Sequence, residues 1–164
     1  MVRVLPLLLA LSVLAASCVP VVVPVPVAVG SASTATRHPT LSPGAFGVAL
    51  NAWRAERGLA PLRRSPVLDR VARAHMQDMV DRGYFSHVAP DGSGPMERVR
   101  RAGYRACRTG ETIARGQDSP RAVLRSWTRS PPHRRQLRTA EARDYGIARG
   151  PGGVWVLLIA RPGC

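Results

Sequence analysis

His87, Glu111 and His133, with Glu97 as a fourth, are side chains whose types could ligate a metal or move a proton. They are dispersed along the chain, and each stands in a loop-like or helix-start stretch rich in Gly, Pro and Ser, where functional residues collect. No local signature unites them. The sequence has no Gly-x-Ser-x-Gly elbow, no His-Glu-x-x-His, no phosphate-binding loop and no dinucleotide fingerprint. Ser86 precedes His87, but adjacent side chains on an extended segment point apart, so the two are not a nucleophile and its base. His75 falls on an apolar stripe and reads as a packing residue. Spacing alone therefore leaves a shared site open.

The elements that must position these residues are legible from periodicity. Residues 43–57 place Phe46, Leu50 and Trp53 on one helical face, with Gly58 as the stop. Ser65-Pro66 opens a second helix through an N-cap and a proline at the first helical position, with a stripe of Leu68, Ala72, His75 and Met79 and Gly83 past its end. Gly94-Pro95 starts a shorter helix through Arg101, ended by Gly103, and Ser119-Pro120 starts a fourth that buries Val123, Leu124 and Trp127. Trp53, Trp127 and Trp155 are expected in the core, and Asp91-Gly92 is expected as a turn. Residues 144–149 and 154–160 read as strands flanking a Gly150-Pro151-Gly152-Gly153 hairpin loop. The second run is apolar on both faces, as in a strand sandwiched between layers. Ile113 and its neighbours suggest a further strand. The sum is an α+β sandwich of helices around a small, mainly antiparallel sheet.

The first residues read as an export signal: Arg3 supplies a positive charge and residues 4–16 form an apolar stretch. A spanning helix needs roughly 20 apolar residues, and Pro20, Pro24 and Pro26 interrupt the apolar character that follows. Leu14-Ala15-Ala16-Ser17-Cys18 resembles a bacterial lipobox, in which Cys18 would be acylated; plain secretion with cleavage elsewhere is the other reading. The expected organisation is a signal segment over 1–18, a Pro/Val/Ser/Thr-rich tether over 19–40 that includes His38, and one domain over 41–164. With Cys18 acylated or removed, Cys107 and Cys164 remain. They are expected either as a disulfide suited to an oxidising compartment or as two buried thiols.

With 164 residues and 45% hydrophobic side chains, the chain is neither disordered nor a multi-span membrane protein, and it is too short for an enzyme with a separate cofactor module. All 24 basic residues are arginine, and the net charge is +14. The export signal and the lack of a nucleic-acid-binding motif argue against nucleic acid as the partner. Phospholipid headgroups or an anionic wall polymer would suit an exported cationic protein, and a merely solvated basic surface is the other reading.

A resemblance unites the dispersed residues. In order and spacing, several motifs resemble the CAP superfamily, the SCP-like extracellular domain of cysteine-rich secretory, antigen 5 and pathogenesis-related proteins. They are Asn51-Ala52-Trp53-Arg54-Ala55-Glu56-Arg57-Gly58-Leu59-Ala60-Pro61-Leu62, Leu68 with Ala72 and Ala74-His75, Tyr84-Phe85-Ser86-His87, Pro90-Asp91-Gly92, Arg98, Gly103-Tyr104, Gly110-Glu111-Thr112-Ile113-Ala114, Trp127, Ser130-Pro131-Pro132-His133-Arg134, Gly146 and Trp155. The resemblance implies a three-layer α-β-α sandwich and a cavity in which His87, His133 and Glu111 hold a divalent metal, zinc above all. Three positions depart from the usual pattern: Thr112 replaces asparagine, Pro132 replaces glycine, and Ser130 stands where many eukaryotic members carry a second glutamate.

The expected function is that of an exported, extracytoplasmic envelope protein, secreted or anchored through acylated Cys18. It would be a binding module with a divalent-metal cavity and a lipid or wall component as ligand. The alternative is a metal-dependent, peptidase-like hydrolase with Glu111 as its base, and a third reading is a structural envelope protein in which the cavity is vestigial. Glu97 is either a further cavity residue or a helix-start residue favoured by the macrodipole.

Overall fold

The structure, a computed structural model, describes residues 44–164. The expected signal segment, the Cys18 lipobox and the tether lie outside the described residues.

Helix α1 spans Ala45–Ala55, α2 Pro66–Asp81, α3 Pro95–Arg101, α4 Pro120–Arg129 and α5 Pro131–Leu137. The strands are β1 Arg63–Arg64, β2 Ala106–Ala114, β3 Asp144–Arg149 and β4 Trp155–Pro162. They form one mixed sheet in the order β1-β3-β4-β2, with β1 parallel to β3 and the other pairs antiparallel. The sheet is thus mainly antiparallel, as expected, and β2 is an edge strand.

Alternation along β4 builds the two interiors. Trp155, Leu157 and Ile159 join Phe46 and Leu50 of α1, Val123 and Trp127 of α4 and Leu137 of α5. Val156, Leu158 and Ala160 join Leu68, Ala72, Met76 and Met79 of α2 and Val99 of α3. One strand feeding both cores explains its apolar run and gives the three-layer α-β-α sandwich.

The helix signals act as read. Ser65 caps α2 by accepting from the Leu68 amide, and Ser119 caps α4 by accepting from the Ala122 amide at 3.2 Å. Gly58 and Gly83 follow their helices with φ of 67° and 68°, conformations that only glycine adopts without strain. Three features differ from expectation. The Ser130-Pro131-Pro132 stretch begins α5, because prolines in a first helical turn lack only N–H groups that have no intrahelical partner there. The two-residue β1 was too short to leave a periodic signal. Trp53 is half-buried at the domain edge, with the Arg57 guanidinium 4.1 Å from its ring, whereas Trp127 and Trp155 are fully buried.

Arg54 takes the buried position that periodicity continues from Phe46 and Leu50. Its guanidinium donates to the carbonyls of Ala60, Leu137 and Thr139 at 2.7 to 3.2 Å, so the charge ends the α1 and α5 segments in place of water. At the other end of the sheet, Cys107 and Cys164 form a disulfide with Cα atoms 4.9 Å apart, closing a loop over a separation of 57 residues. Chain entropy alone makes such a closure worth about 4 kcal/mol.

Candidate functional site

The α2–α3 connection carries His87 to the open edge of the sheet, where β2 presents Glu111. The Gly83 turn ends α2, and the Tyr84 amide donates to the Met79 carbonyl at 3.1 Å. The chain then runs extended through Ser86 and turns at Pro90-Asp91-Gly92. That turn is built from the Gly92 amide bonding the Ala89 carbonyl and the Ser93 amide bonding Asp91 Oδ1, both at 2.8 Å. Hydrogen bonds from Ser93 hold the Asp91 carboxyl down at about 2. Asp91 therefore builds a turn, as expected.

His87 Nδ1 lies 2.8 Å from Glu111 Oε1. A carboxylate only accepts, so Nδ1 carries a proton, and in the neutral form of the ring the lone pair lies on Nε2. The His87 side chain is 48% exposed, whereas that of Glu111 is 1% exposed. A buried carboxylate thus fixes the tautomer of a half-exposed imidazole.

The second Glu111 oxygen, Oε2, accepts from Arg98 Nη2 at 2.8 Å. Arg98 Nη1 also donates to the Ser93 carbonyl at 2.6 Å and to the His87 carbonyl at 3.0 Å. One guanidinium therefore pins the carboxylate and the His87 backbone together. Arg98 carries no catalytic signature in the sequence, and its role was missed there. Its position in the last turn of α3, facing a buried strand position, appears only in three dimensions.

His75 also belongs to this network. It is buried, and its Nε2 stands 3.0 Å from the Ser86 carbonyl and 3.7 Å from Glu111 Oε1. The carbonyl requires Nε2 to be the donor. Tyr84 Oη donates to Asp78 and lies 3.4 Å from His75 Nδ1. Burial and that carboxylate push the Tyr84 hydroxyl up to about 12. Burial, ahead of the opposing effects of nearby charges, lowers the His75 pKa, so the ring is neutral at pH 7. The expectation of a packing histidine holds for its burial, but the ring also fixes the carbonyl next to His87.

His133 sits on α5, in the opposite layer. Its pKa is lowered first by burial and then by the His87 charge. Glu97 stays out of the site, since its half-exposed carboxylate pairs with Arg101 one turn along α3. Of the expected cavity residues, His87 and Glu111 are in direct contact, His133 is within electrostatic reach, and Glu97 is separate. Beside Glu111, the Thr112 hydroxyl is buried without a hydrogen-bond partner.

Among the described residues, no group of three or more His, Cys, Asp or Glu side chains is arranged to hold a metal ion. Both Glu111 oxygens are engaged by His87 and Arg98. Glu111 thus stands behind His87 as the group that orients its ring.

A helix–sheet–helix sandwich with a His–Glu–Arg cluster at the open edge of its sheet defines the class of domain. The chain belongs to the CAP family, the cysteine-rich secretory protein family, whose model matches residues 49–158. The chain is 34% identical over 106 residues to the uncharacterized protein YkwD of Bacillus subtilis, covering 64% of this chain and 41% of that protein. It thus spans about two-fifths of the length of that relative. An extracellular protein containing a SCP domain from Bacillus anthracis superposes with a TM-score of 0.68 at 26% identity, over 71% of this chain and 39% of that one. An outer surface protein from Borrelia burgdorferi shares the fold, with a TM-score of 0.66 at 20% identity, over 72% of this chain and 90% of that one. Among the described residues, no helix is long and apolar enough to cross a membrane.

Proposed function

We propose that this CAP domain works outside the cytoplasm as a ligand-binding module, with the exposed edge of His87 and its neighbour His133 as the recognition element. The observation that carries this reading is the state of Glu111. Its carboxylate is buried, and its oxygens are held by His87 and Arg98 at 2.8 Å each. A general base needs a lone pair within reach of the proton it removes. Glu111 instead orients an imidazole, so it is not placed to act as the base of a hydrolase itself.

The Nε2 lone pair of His87 and the neutral His133 ring are donors for a divalent metal, zinc in the first instance. Such an ion would bridge the domain to a ligand that carries oxygen donors, a lipid headgroup or a wall component. Export through the N-terminal segment, with acylation of Cys18 as an anchor, completes the reading. It is supported by the signal-like sequence and by the extracellular description of the Bacillus anthracis relative.

Zinc titration by calorimetry tests the proposal, with the His87→Ala/His133→Ala double variant as control. One equivalent bound by the wild type and none by the variant is the expected result. A folded wild type that binds no zinc removes the metal from the proposal. Hydrolysis of an envelope peptide that disappears in Glu111→Gln while zinc is retained would establish the hydrolase instead.

A further inference from the structure

The arginines are unevenly used. Eight of the ten acidic side chains, Glu56 and Glu141 among them, sit in ion pairs, and every arginine in those pairs lies outside residues 119–140. Inside that segment stand Arg121, Arg125, Arg129, Arg134, Arg135 and Arg138, with no acidic residue between them. Among the described residues, none of the six takes part in an ion pair, and the one side-chain bond is from Arg134 to the Thr128 carbonyl at 3.1 Å.

The six are also ordered. Arg121, Arg125 and Arg129 recur every four residues, which puts them on one face of α4, and all three are exposed. Val123, Leu124 and Trp127 bury the opposite face. The row repeats about every 6 Å along the helix axis. Like charges at this spacing repel one another, so the row weakens its own helix unless something outside neutralises it. Arg135 and Arg138 extend the exposed charge onto α5, which packs beside α4 and carries His133.

We propose that the α4–α5 face is a docking surface for a linear anionic polymer of the cell envelope, with phosphodiester groups along its backbone. A row of fixed cations suits a row of phosphates, and each contact releases counterions from the polymer. The surface does not suit insertion into a membrane. Among the described residues the exposed large apolar side chains are Val48, Phe85 and Val88, and none lies within residues 119–140. This inference shares with the proposed function only the extracytoplasmic location and needs neither histidine nor metal.

The test measures binding of the full chain to purified poly(glycerol phosphate) across a salt series. The variants are Arg121→Gln/Arg125→Gln/Arg129→Gln and an equal-charge control, Arg70→Gln/Arg73→Gln/Arg105→Gln, drawn from exposed arginines elsewhere. The α4 variant is expected to bind about 10-fold more weakly, with a salt slope shallower by about 2, while the control stays within about 2-fold. Should the α4 variant fail to fold, Arg134→Gln/Arg135→Gln/Arg138→Gln is expected to give a loss of the same order. His87→Ala, which lies off the α4–α5 face, is expected to retain full polymer binding, which separates this surface from the zinc reading. Equal losses in both triple variants would reduce the effect to net charge and overturn the proposal. So would a wild type that ignores the polymer, or one that binds phosphatidylglycerol vesicles more tightly than polymer at matched phosphate.

Discussion

Arg98 and Glu111 form a 2.8 Å ion pair whose side chains are 12% and 1% exposed, and the rest of the site is arranged around it. A buried carboxylate is tolerated only when its charge is matched and its oxygens are hydrogen-bonded. Arg98 supplies the charge, His87 takes the second oxygen, and Arg98 returns to bond the carbonyls of Ser93 and His87. The pair couples the edge strand to the loop that presents the imidazole.

Removing one partner leaves a buried charge without compensation. Arg98→Ala is expected to cost about 3 kcal/mol in urea unfolding, and Arg98→Met combined with Glu111→Leu should recover most of that loss. A cost below about 1 kcal/mol for Arg98→Ala, the range of exposed pairs, would show that the pair is solvated.

Stability should fall as the medium becomes acidic, with His75 as one cause. Its pKa is lowered in the fold by burial, against the pull of Glu111 and Asp78 and with the help of Arg98. The unfolded chain therefore binds protons that the folded chain refuses. The contribution is complete above about pH 6.5 and is lost as pH falls below that value towards the depressed folded pKa. His133 adds an effect of the same sign, because burial and the nearby His87 lower its pKa as well. Unfolding free energies measured from pH 7.5 to 5 are expected to slope downwards in the wild type and less steeply in His75→Gln. An identical slope in that variant would exclude His75 as a source.

Much of this architecture was legible in the chain. The Ser-Pro helix starts, the Gly stops and the doubly apolar 154–160 run each carry a local physical signal, and the helices and strands they announce are present. Helix α5 escaped notice because proline is read first as a breaker, although a first turn accepts it. The contact of His87 with Glu111 was legible only through resemblance, since a loop and an edge strand meet there only through the tertiary fold. Arg98 and Arg54 were legible only as motif residues of the resemblance, and their buried roles were not. Arginine is read from sequence as a surface residue, and both are buried by partners distant along the chain: Glu111 for Arg98, and the carbonyls of Leu137 and Thr139 for Arg54.

Gly146 marks where β3 passes against the start of α2. A Cβ built there would overlap the Leu68 carbonyl carbon and the Asp69 amide nitrogen, both backbone atoms, so no side-chain rotation relieves it. The contact is locked by Asp69, which accepts from the Ile147 amide at 2.9 Å and from Arg64 Nε at 2.8 Å. Gly146→Ala is expected to destabilise the domain by about 3 kcal/mol, near the upper end for overpacking, read as a drop in thermal midpoint. A shift of the midpoint by under a degree would mean that α2 can slide.

Glu111→Gln separates orientation from charge at the site. A glutamine fits the same space, but its amide can offer an N–H to His87 Nδ1, which would move the ring proton to Nε2 and remove the outward lone pair. It also leaves the Arg98 charge unmatched. With zinc bound through the imidazoles, affinity in Glu111→Gln is expected to fall about 10- to 100-fold, the usual effect of removing the group behind a ligating histidine. Histidine nitrogen NMR of the metal-free protein should show the His87 tautomer shifting in parallel. Unchanged zinc affinity together with a shifted tautomer would mean that His87 is not a ligand. An unchanged tautomer would mean that Glu111 does not set it, and the role assigned to the buried carboxylate would have to be abandoned.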